Sequence, residues 1–256
     1  MPPRHTRAST PQLPPLWVVR HGESAGNVAR DRAEASGAAS IDIEGRDVDV
    51  ALSALGERQA RAVGRWFAER PALERPTLIL ASPFTRAAQT AELVARGIGD
   101  AALRCVHDER LREKELGSLN RLTRAGVLAK YPHEAEQRAL IGKFYYRPPG
   151  GESWCDVVLR LRAVLDHVQL FHAEDRVLLV THQVVVLCAR YILEKLSEAQ
   201  LLAIDQQGDV ANCALTSYLP HPSGTGVALT AYNFVAPLDE AGAAVTDAPD
   251  AKVHGV

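Results

Sequence analysis

Two arginines and two histidines stand in the sequence just after short apolar segments, where buried strands would end. They are Arg20, His21, Arg86 and His182. A guanidinium group matches two oxygens of a phosphate at once, and a neutral imidazole can act as a nucleophile. This combination of side chains is typical of a site for a tetrahedral dianion such as phosphate.

One arginine–histidine pair at a strand end is usually a solvated surface pair without a function, and one histidine after a strand is usually a structural residue. Three strand ends that all carry such residues favour a functional site, because ligands of open α/β sheets bind outside the carboxyl ends of the strands. Gly22 and Gly26 permit a tight turn there, in which backbone N–H groups can face an anion. Arg86 stands at the start of a predicted helix, where the helix dipole is positive.

The elements that must position these residues alternate between strands and helices along the chain. Continuous apolar runs predict buried strands at 16–19, 77–81 and 177–181. Amphipathic spacing predicts helices at 52–69, with Ser53 as N-cap, and at 85–96, 154–170 and 184–196. Two β-rich stretches follow at 213–219 and 227–235. This order predicts an α/β fold of three layers, α/β/α, with a mostly parallel central sheet.

The length of 256 residues allows one large domain or two small ones. Because the candidate residues are spread from His21 to His182, we expect one domain over 16–237. The polar, arginine-rich segment 107–150 is expected to form an excursion over one end of the sheet that caps the substrate. Residues 1–15 and 238–256 have little to bury and are expected to be loose tails, with an organelle transit peptide as the alternative for 1–15.

The composition excludes several classes of protein. Hydrophobic residues make up 46% and charged residues 23%, so the chain is not mostly disordered. The net charge of −2 gives no basic field for nucleic acid or a membrane surface, and no apolar run is long enough to span a bilayer. The four cysteines form no CxxC pair. Reduced thiols in the cytoplasm are therefore the simpler interpretation.

Six segments resemble, in order, motifs of the histidine phosphatase superfamily, which includes the cofactor-dependent phosphoglycerate mutases. They are residues 20–24 (RHGES), 52–60 (LSALGERQA), 82–90 (SPFTRAAQT), 111–117 (LREKELG), 150–153 (GGES) and 180–182 (VTH). The resemblance extends from about residue 16 to residue 219 and implies a phosphoglycerate mutase-like fold.

The resemblance also implies roles for single residues. His21 would be the nucleophile, which becomes a phosphohistidine, and Glu113 the general acid. The transferring phosphoryl group would be bound by Arg20, Asn27, Arg86 and His182. The mechanism that it implies uses no metal and no cofactor.

Two positions leave room for alternatives. Gln183 stands where many relatives carry glycine, so its side chain is expected to narrow the pocket or to bind the substrate. Glu109 and Glu115 compete with Glu113 for the role of proton donor, and only the spacing to Gly117 favours Glu113.

The sequence favours hydrolysis over phosphoryl transfer between substrates. Mutases of the family typically show ERHYGxLQG around the acid, whereas residues 113–120 here read EKELGSLN. The arginine pair that mutases use to hold the substrate carboxylate is also missing. Residues 142–149 (GKFYYRPP) instead resemble a phosphatase subgroup. A phosphoglycerate mutase and a non-catalytic phospho-ligand binding protein are the two alternatives.

The substrate is expected to be a phosphorylated small molecule, selected by residues 28–50 and 107–150. Four side chains are candidates for the substrate mouth, with packing of the excursion as the alternative interpretation. They are Lys143, Tyr145, Tyr146 and Arg147. The sequence leaves the oligomeric state open, including a homo-oligomer.

Overall fold

A computed structural model describes residues 12–247, and its centre is a six-stranded sheet of order β3-β2-β4-β1-β5-β6. The strands are β1 (Leu16–Arg20), β2 (Leu78–Ala81), β3 (Arg104–His107), β4 (Val177–Thr181), β5 (Leu215–Pro220) and β6 (Val227–Phe234). β3, β2, β4 and β1 are parallel, whereas β5 and β6 are added antiparallel. The mostly parallel sheet predicted from the sequence is confirmed.

Helices cover both faces of the sheet. They are α1 (Ala25–Ala35), α2 (Ala54–Ala68), α3 (Thr85–Ile98), α4 (Arg124–Lys130), α5 (Pro132–Ile141), α6 (Trp154–Phe171), α7 (Gln183–Leu193), α8 (Glu198–Gln207) and α9 (Ala236–Glu240). Successive side chains of β1 point to opposite faces: Leu16 and Val18 pack with α6 and α7, and Val19 packs with α2 and α3. The three layers predicted from the sequence are therefore confirmed.

The predicted helices all form, with ends shifted by a few residues. Ser53 caps α2, since its hydroxyl accepts the backbone N–H of Gly56 at 3.0 Å. The sequence did not predict α1, because that helix buries only Ala33 and so carries no apolar stripe. It also missed β3, whose four residues are all exposed at the edge of the sheet.

The expectation of a loose segment from residue 238 is wrong for 238–247. Leu238 is fully buried, and the amide of Gln59 donates to the carbonyl of Ala244 at 2.9 Å and to the hydroxyl of Thr246 at 3.0 Å. The burial of Leu238 and the hydrogen bonds at Ala244 and Thr246 together hold this segment, which its composition did not reveal. The remaining predicted tail, 248–256, lies outside the described residues.

The N-terminal expectation is also wrong for the part that the structure describes. Pro14 is buried, and the side-chain amide of Gln12 donates to the carbonyl of Gly226 at 2.8 Å. Residues 1–11 lie outside the described residues. No helix within 12–247 has the length and apolar character to cross a membrane.

The excursion has a small core of its own and closes against the loop after α1. Leu119, Leu122, Val127 and Tyr146 form that core. The backbone N–H of Ile41 donates to the carbonyl of Arg121 at 2.8 Å, so the excursion and the loop are joined backbone to backbone. Two segments that are far apart in the sequence thus form one wall above the carboxyl ends of the strands.

Candidate active site

The first histidine stands at the end of β1, on a turn that lies directly against the start of α2. A Cβ atom on Gly22 would meet the carbonyl oxygen of Gly56 at 2.5 Å, and one on Gly56 would meet the carbonyl oxygen of Glu23 at 1.9 Å. Both positions therefore require glycine. This contact and the backbone hydrogen bond from His21 to Thr181, at 2.8 Å, hold the histidine in place.

Hydrogen bonding determines which nitrogen of His21 carries the proton. Nδ1 lies 2.7 Å from the carbonyl oxygen of Gly22, which can only accept, so Nδ1 is the protonated nitrogen. Nε2 keeps its lone pair and accepts the Nε–H of Arg86 at 3.2 Å. The imidazole is 3% exposed, so this lone pair lies in a nearly closed site.

The positive charges of two guanidinium groups act on this imidazole. Arg86, in the first turn of α3, is 5% exposed and also binds Asp47, whose carboxylate lies 3.2 Å from Nη2. Arg20 is 1% exposed, and its Nη1 donates to the carbonyl of Val210 at 2.6 Å. A guanidinium group does not lose its proton in a protein, so the site keeps its positive charge over the working pH range.

The second histidine, at the end of β4, faces the first. The rings of His21 and His182 are 5.1 Å apart between centroids. Ser82 Oγ accepts the backbone N–H of Phe84 at 3.3 Å and lies 2.8 Å from His182 Nε2, to which its O–H can donate. In that pairing Nδ1 of His182 carries a proton, and this nitrogen lies 3.4 Å from Oε2 of Glu113.

Both histidines are kept neutral by their surroundings. Burial is the main cause that lowers the pKa of His21 well below its usual value, followed by the charges of Arg86 and Arg20. The pKa of His182 is also lowered well below its usual value, by burial first and then by the charge of Arg86. The imidazoles of this site therefore stay neutral at pH values at which a free imidazole would take up a second proton.

Of the three candidate acids, Glu113 is the one that lies beside the histidines. Its Oε1 accepts the backbone N–H of Lys114 at 2.8 Å, which orients Oε2 toward His182. Glu115 is exposed at the edge of the same cavity and accepts the backbone N–H of Gly117 at 3.1 Å. Glu109 is exposed and does not line the cavity.

An arginine on α6 holds the segment that carries Glu113. Arg160 donates through Nη1 to the carbonyl of Arg110 at 2.6 Å and through Nη2 to the carbonyl of Glu113 at 3.3 Å. Its Nε pairs with Glu152 at 2.9 Å. Gly117 has a φ of +52°, and a Cβ atom there would meet the carbonyl of Pro149 at 2.1 Å. The turn at residues 150–153 and the segment that carries Glu113 are thus packed together.

Asn27 and Gln183, the two remaining predicted contacts, line the same cavity. The amide oxygen of Asn27 accepts from the backbone and the hydroxyl of Ser24, both at 2.9 Å, so its NH2 group is the part available to a ligand. The amide nitrogen of Gln183 donates to Asp209 at 2.7 Å. The side chain at 183 lies in the cavity wall, and the two expectations for it, a narrower pocket or a contact with the substrate, stay predictions.

The four residues proposed for the substrate mouth differ in where their side chains lie. Lys143 lines the cavity and pairs with Asp205 at 2.5 Å. Tyr146 is buried in the excursion, where its hydroxyl donates to Glu134 at 2.7 Å. Tyr145 and Arg147 do not line the cavity. Tyr146 therefore packs within the excursion. Of these four residues, only Lys143 lines the cavity.

The sequence analysis missed residues that contact the site from elsewhere in the fold. Asn212 donates from its amide to the carbonyl of His21 at 2.9 Å, and Asp47 binds Arg86. Asp47 lies in an irregular loop. Asn212 directly precedes the predicted stretch 213–219 and reaches His21 because β5 runs antiparallel to β1, which the sequence did not indicate. Ser82 was part of a quoted motif, but its contact with His182 required the register between β2 and β4.

A metal ion does not fit this site as well as an anion does. The donor atoms of His21, Glu113 and His182 all lie within 4.8 Å of one another, which is a spacing that an ion could bridge. However, Arg86 already donates to the Nε2 lone pair of His21, and two guanidinium groups repel a cation. The donor set favours a negatively charged ligand.

Comparison with known proteins gives a consistent result. The model of the histidine phosphatase superfamily, branch 1, matches residues 16–233. A probable phosphoglycerate mutase, GpmB, of Proteus mirabilis is 35% identical over 176 residues, which cover 68% of this chain and 71% of that protein. A mycobacterial glucosyl-3-phosphoglycerate phosphatase, solved in complex with VO3, is 28% identical with a TM-score of 0.68, and the match covers 86% of this chain and 99% of that one.

Proposed function

The chain belongs to the histidine phosphatase superfamily, branch 1, and on that premise we propose that it hydrolyses phosphomonoesters through a phosphohistidine on His21. The observation that carries this proposal is the 2.7 Å contact between Nδ1 of His21 and the Gly22 carbonyl oxygen, which accepts the proton-bearing Nδ1–H. That bond leaves the Nε2 lone pair facing Arg86, in the cavity that Glu113 also lines. A nucleophile, a cationic group and a proton donor thus meet at one point.

In the first step, Nε2 of His21 attacks phosphorus in line, and the bond between phosphorus and the ester oxygen breaks. The carboxyl group of Glu113 gives its proton to the departing oxygen, so an alcohol leaves. Arg20, Arg86 and the Nδ1–H of His182 stabilise the charge on the three equatorial oxygens.

In the second step, the carboxylate of Glu113 takes a proton from water, and the water oxygen attacks the phosphorus of the phosphohistidine. The bond between phosphorus and nitrogen breaks, inorganic phosphate leaves, and His21 regains its lone pair. The NH2 group of Asn27 is placed to hold the phosphoryl group through both steps, and Gln183 limits the space beside it.

Hydrolysis is favoured over transfer by the residues next to the acid. Residues 114–116 are Lys-Glu-Leu in place of the Arg-His-Tyr that is typical of mutases. The similarity to the probable mutase of Proteus mirabilis favours phosphoglycerate mutase as the second candidate. A non-catalytic phospho-ligand binding protein is the third, and it would bind phosphate without turnover.

The proposal extends to the setting of the enzyme. All four cysteines are free thiols, which is what the cytoplasm would maintain. We expect a phosphorylated small molecule as substrate and neither a nucleic acid nor a membrane as partner. Self-association into a homo-oligomer remains open to measurement of the molecular mass in solution.

A screen of phosphate release tests the function. Sugar phosphates, phosphoglycerates, nucleotides and phosphopeptides are offered to the wild type and, as the blank, to His21→Ala. Release of phosphate by the wild type alone supports the proposal. Interconversion of phosphoglycerates that needs a bisphosphorylated primer, without net release of phosphate, would identify a mutase instead.

A further inference from the structure

An acidic residue of this chain already occupies one side of the guanidinium group that the phosphoryl group should bind. Nη1 of Arg86 donates to the backbone carbonyl of Asp47 at 2.8 Å and to its Oδ1 at 3.3 Å, and Nη2 lies 3.2 Å from Oδ2. The third nitrogen, Nε, donates to His21. All three nitrogens of the guanidinium group are thus engaged within the protein.

The carboxylate and a phosphoryl group compete for the same donors. A guanidinium group binds either anion through two parallel N–H groups, and here both terminal nitrogens of Arg86 point to Asp47. The two anions also repel each other, since Asp47 lines the cavity together with His21. A phosphate that binds there must share Arg86 with the carboxylate or displace it.

The carboxylate is placed where it can give way. Asp47 opens a single 3₁₀ turn, Asp47–Asp49, that follows Gly45 in the left-handed region at φ +69°. Its side chain is 36% exposed, whereas that of Arg86 is 7% exposed. Water can therefore solvate the acid when it swings out, while the arginine stays where α3 holds it.

We propose that Asp47 is an internal competing anion, which occupies Arg86 when the site is empty and weakens the hold of the site on inorganic phosphate. The ligand with which Asp47 competes has the chemistry of a phosphate dianion. This inference therefore rests on the proposed function for the identity of that ligand. Its consequence is that product phosphate is released more readily than the cationic site alone would allow.

The chain offers a matched control within the same turn. Asp49 carries the same charge two residues later, but its carboxylate pairs with Arg46 at 2.7 Å, and both side chains are more than half exposed. Asp47→Asn and Asp49→Asn change the net charge by the same amount. Only the first removes the negative charge from Arg86.

Binding of inorganic phosphate is measured by calorimetry at fixed ionic strength on the wild type, Asp47→Asn and Asp49→Asn. We expect Asp47→Asn to bind phosphate about three- to tenfold more tightly and Asp49→Asn to match the wild type. Inhibition of turnover by phosphate should strengthen in the same proportion in Asp47→Asn. Thermal unfolding of each variant shows that it is folded.

The outcomes separate this inference from the proposed function. Equal or weaker phosphate binding by Asp47→Asn overturns the inference and makes Asp47 a residue that positions Arg86. An equal gain in both variants also overturns it, because net charge alone would then be the cause. If neither the wild type nor Asp47→Asn binds phosphate, the proposed function fails, and this inference fails with it.

Discussion

The candidate site is built by two regions of different construction. The strand ends supply His21, Arg86 and His182, which are 5% exposed or less and lie on backbone that the sheet and the helix starts hold in place. The wall above them, formed by the excursion and the loop after α1, supplies Glu113 and Asp47 from 3₁₀ turns and irregular segments. Those two carboxylates are 15% and 36% exposed.

This difference separates the two tasks of the site. The strand ends hold cations and neutral imidazoles in a buried position, which is what a transferring phosphoryl group requires. The wall carries the acids, whose protons and contacts would change during the proposed reaction cycle. We expect substitutions at the strand ends to affect the electrostatics and the tautomers, and substitutions in the wall to affect proton transfer and ligand exchange.

The largest effect is expected from the acid in the wall. Glu113→Gln removes the proton donor and should lower kcat/KM for alkyl phosphates by about 10²- to 10⁴-fold. The matched control is Glu115→Gln, whose carboxylate is bound to Gly117. We expect that variant to stay within about twofold of the wild type. Equal losses in both variants would remove the distinction between these two acids.

The second prediction concerns the buried imidazoles of the strand ends. Because burial lowers the pKa of His21 and His182 in the folded state, the unfolded chain binds more protons below a pH of about 6.5. Stability is therefore fully present above that pH. It falls as the pH drops, by up to ~1.4 kcal/mol per pH unit for each histidine.

Urea unfolding at pH 7.5, 6.5 and 5.5 measures this dependence. His182→Gln should reduce the slope of the unfolding free energy against pH, whatever it does to stability itself. His133→Gln is the control, since that side chain is 91% exposed and should leave the slope unchanged. A slope that is the same in His182→Gln and the wild type would mean that the folded site binds protons as readily as the unfolded chain.

A third, smaller effect is expected at Ser82, which follows β2 and lies beside Nε2 of His182 at the end of β4. Ser82→Ala removes the hydroxyl beside Nε2 of His182 and should lower kcat about fivefold, since one neutral hydrogen bond contributes ~1 kcal/mol. The ¹⁵N shifts of His182 report the tautomer directly. An unchanged Nδ1–H signal in Ser82→Ala would show that Ser82 does not determine it.

The smallest effect is expected at the joint between the two parts of the wall. Arg121 lines the cavity and donates to the carbonyl of Ile43 at 3.0 Å, so Arg121→Ala should raise KM about threefold with kcat unchanged. Arg124→Ala, at the exposed start of α4, should change neither constant. A fall in kcat for Arg121→Ala would show that this part of the wall contributes to the chemical step and not only to substrate binding.

The same difference explains what could be predicted from the sequence. Buried parallel strands appear as continuous apolar runs, so β1, β2 and β4 and the residues that follow them could be found without a structure. Glu113 was placed by a resemblance, since the segment around it has no periodic pattern. Asp47 could not be predicted, because its contact with Arg86 depends on how an irregular loop packs on α3.

The central claim is that Nε2 of His21 becomes phosphorylated during turnover. Rapid quenching at alkaline pH, followed by mass spectrometry of peptides, tests it directly, because phosphohistidine survives base and is lost in acid. We predict one phosphoryl group on His21, which is absent from His21→Ala. Phosphate release by His21→Ala at the rate of the wild type, or a phosphoryl group trapped on another residue, would contradict the account.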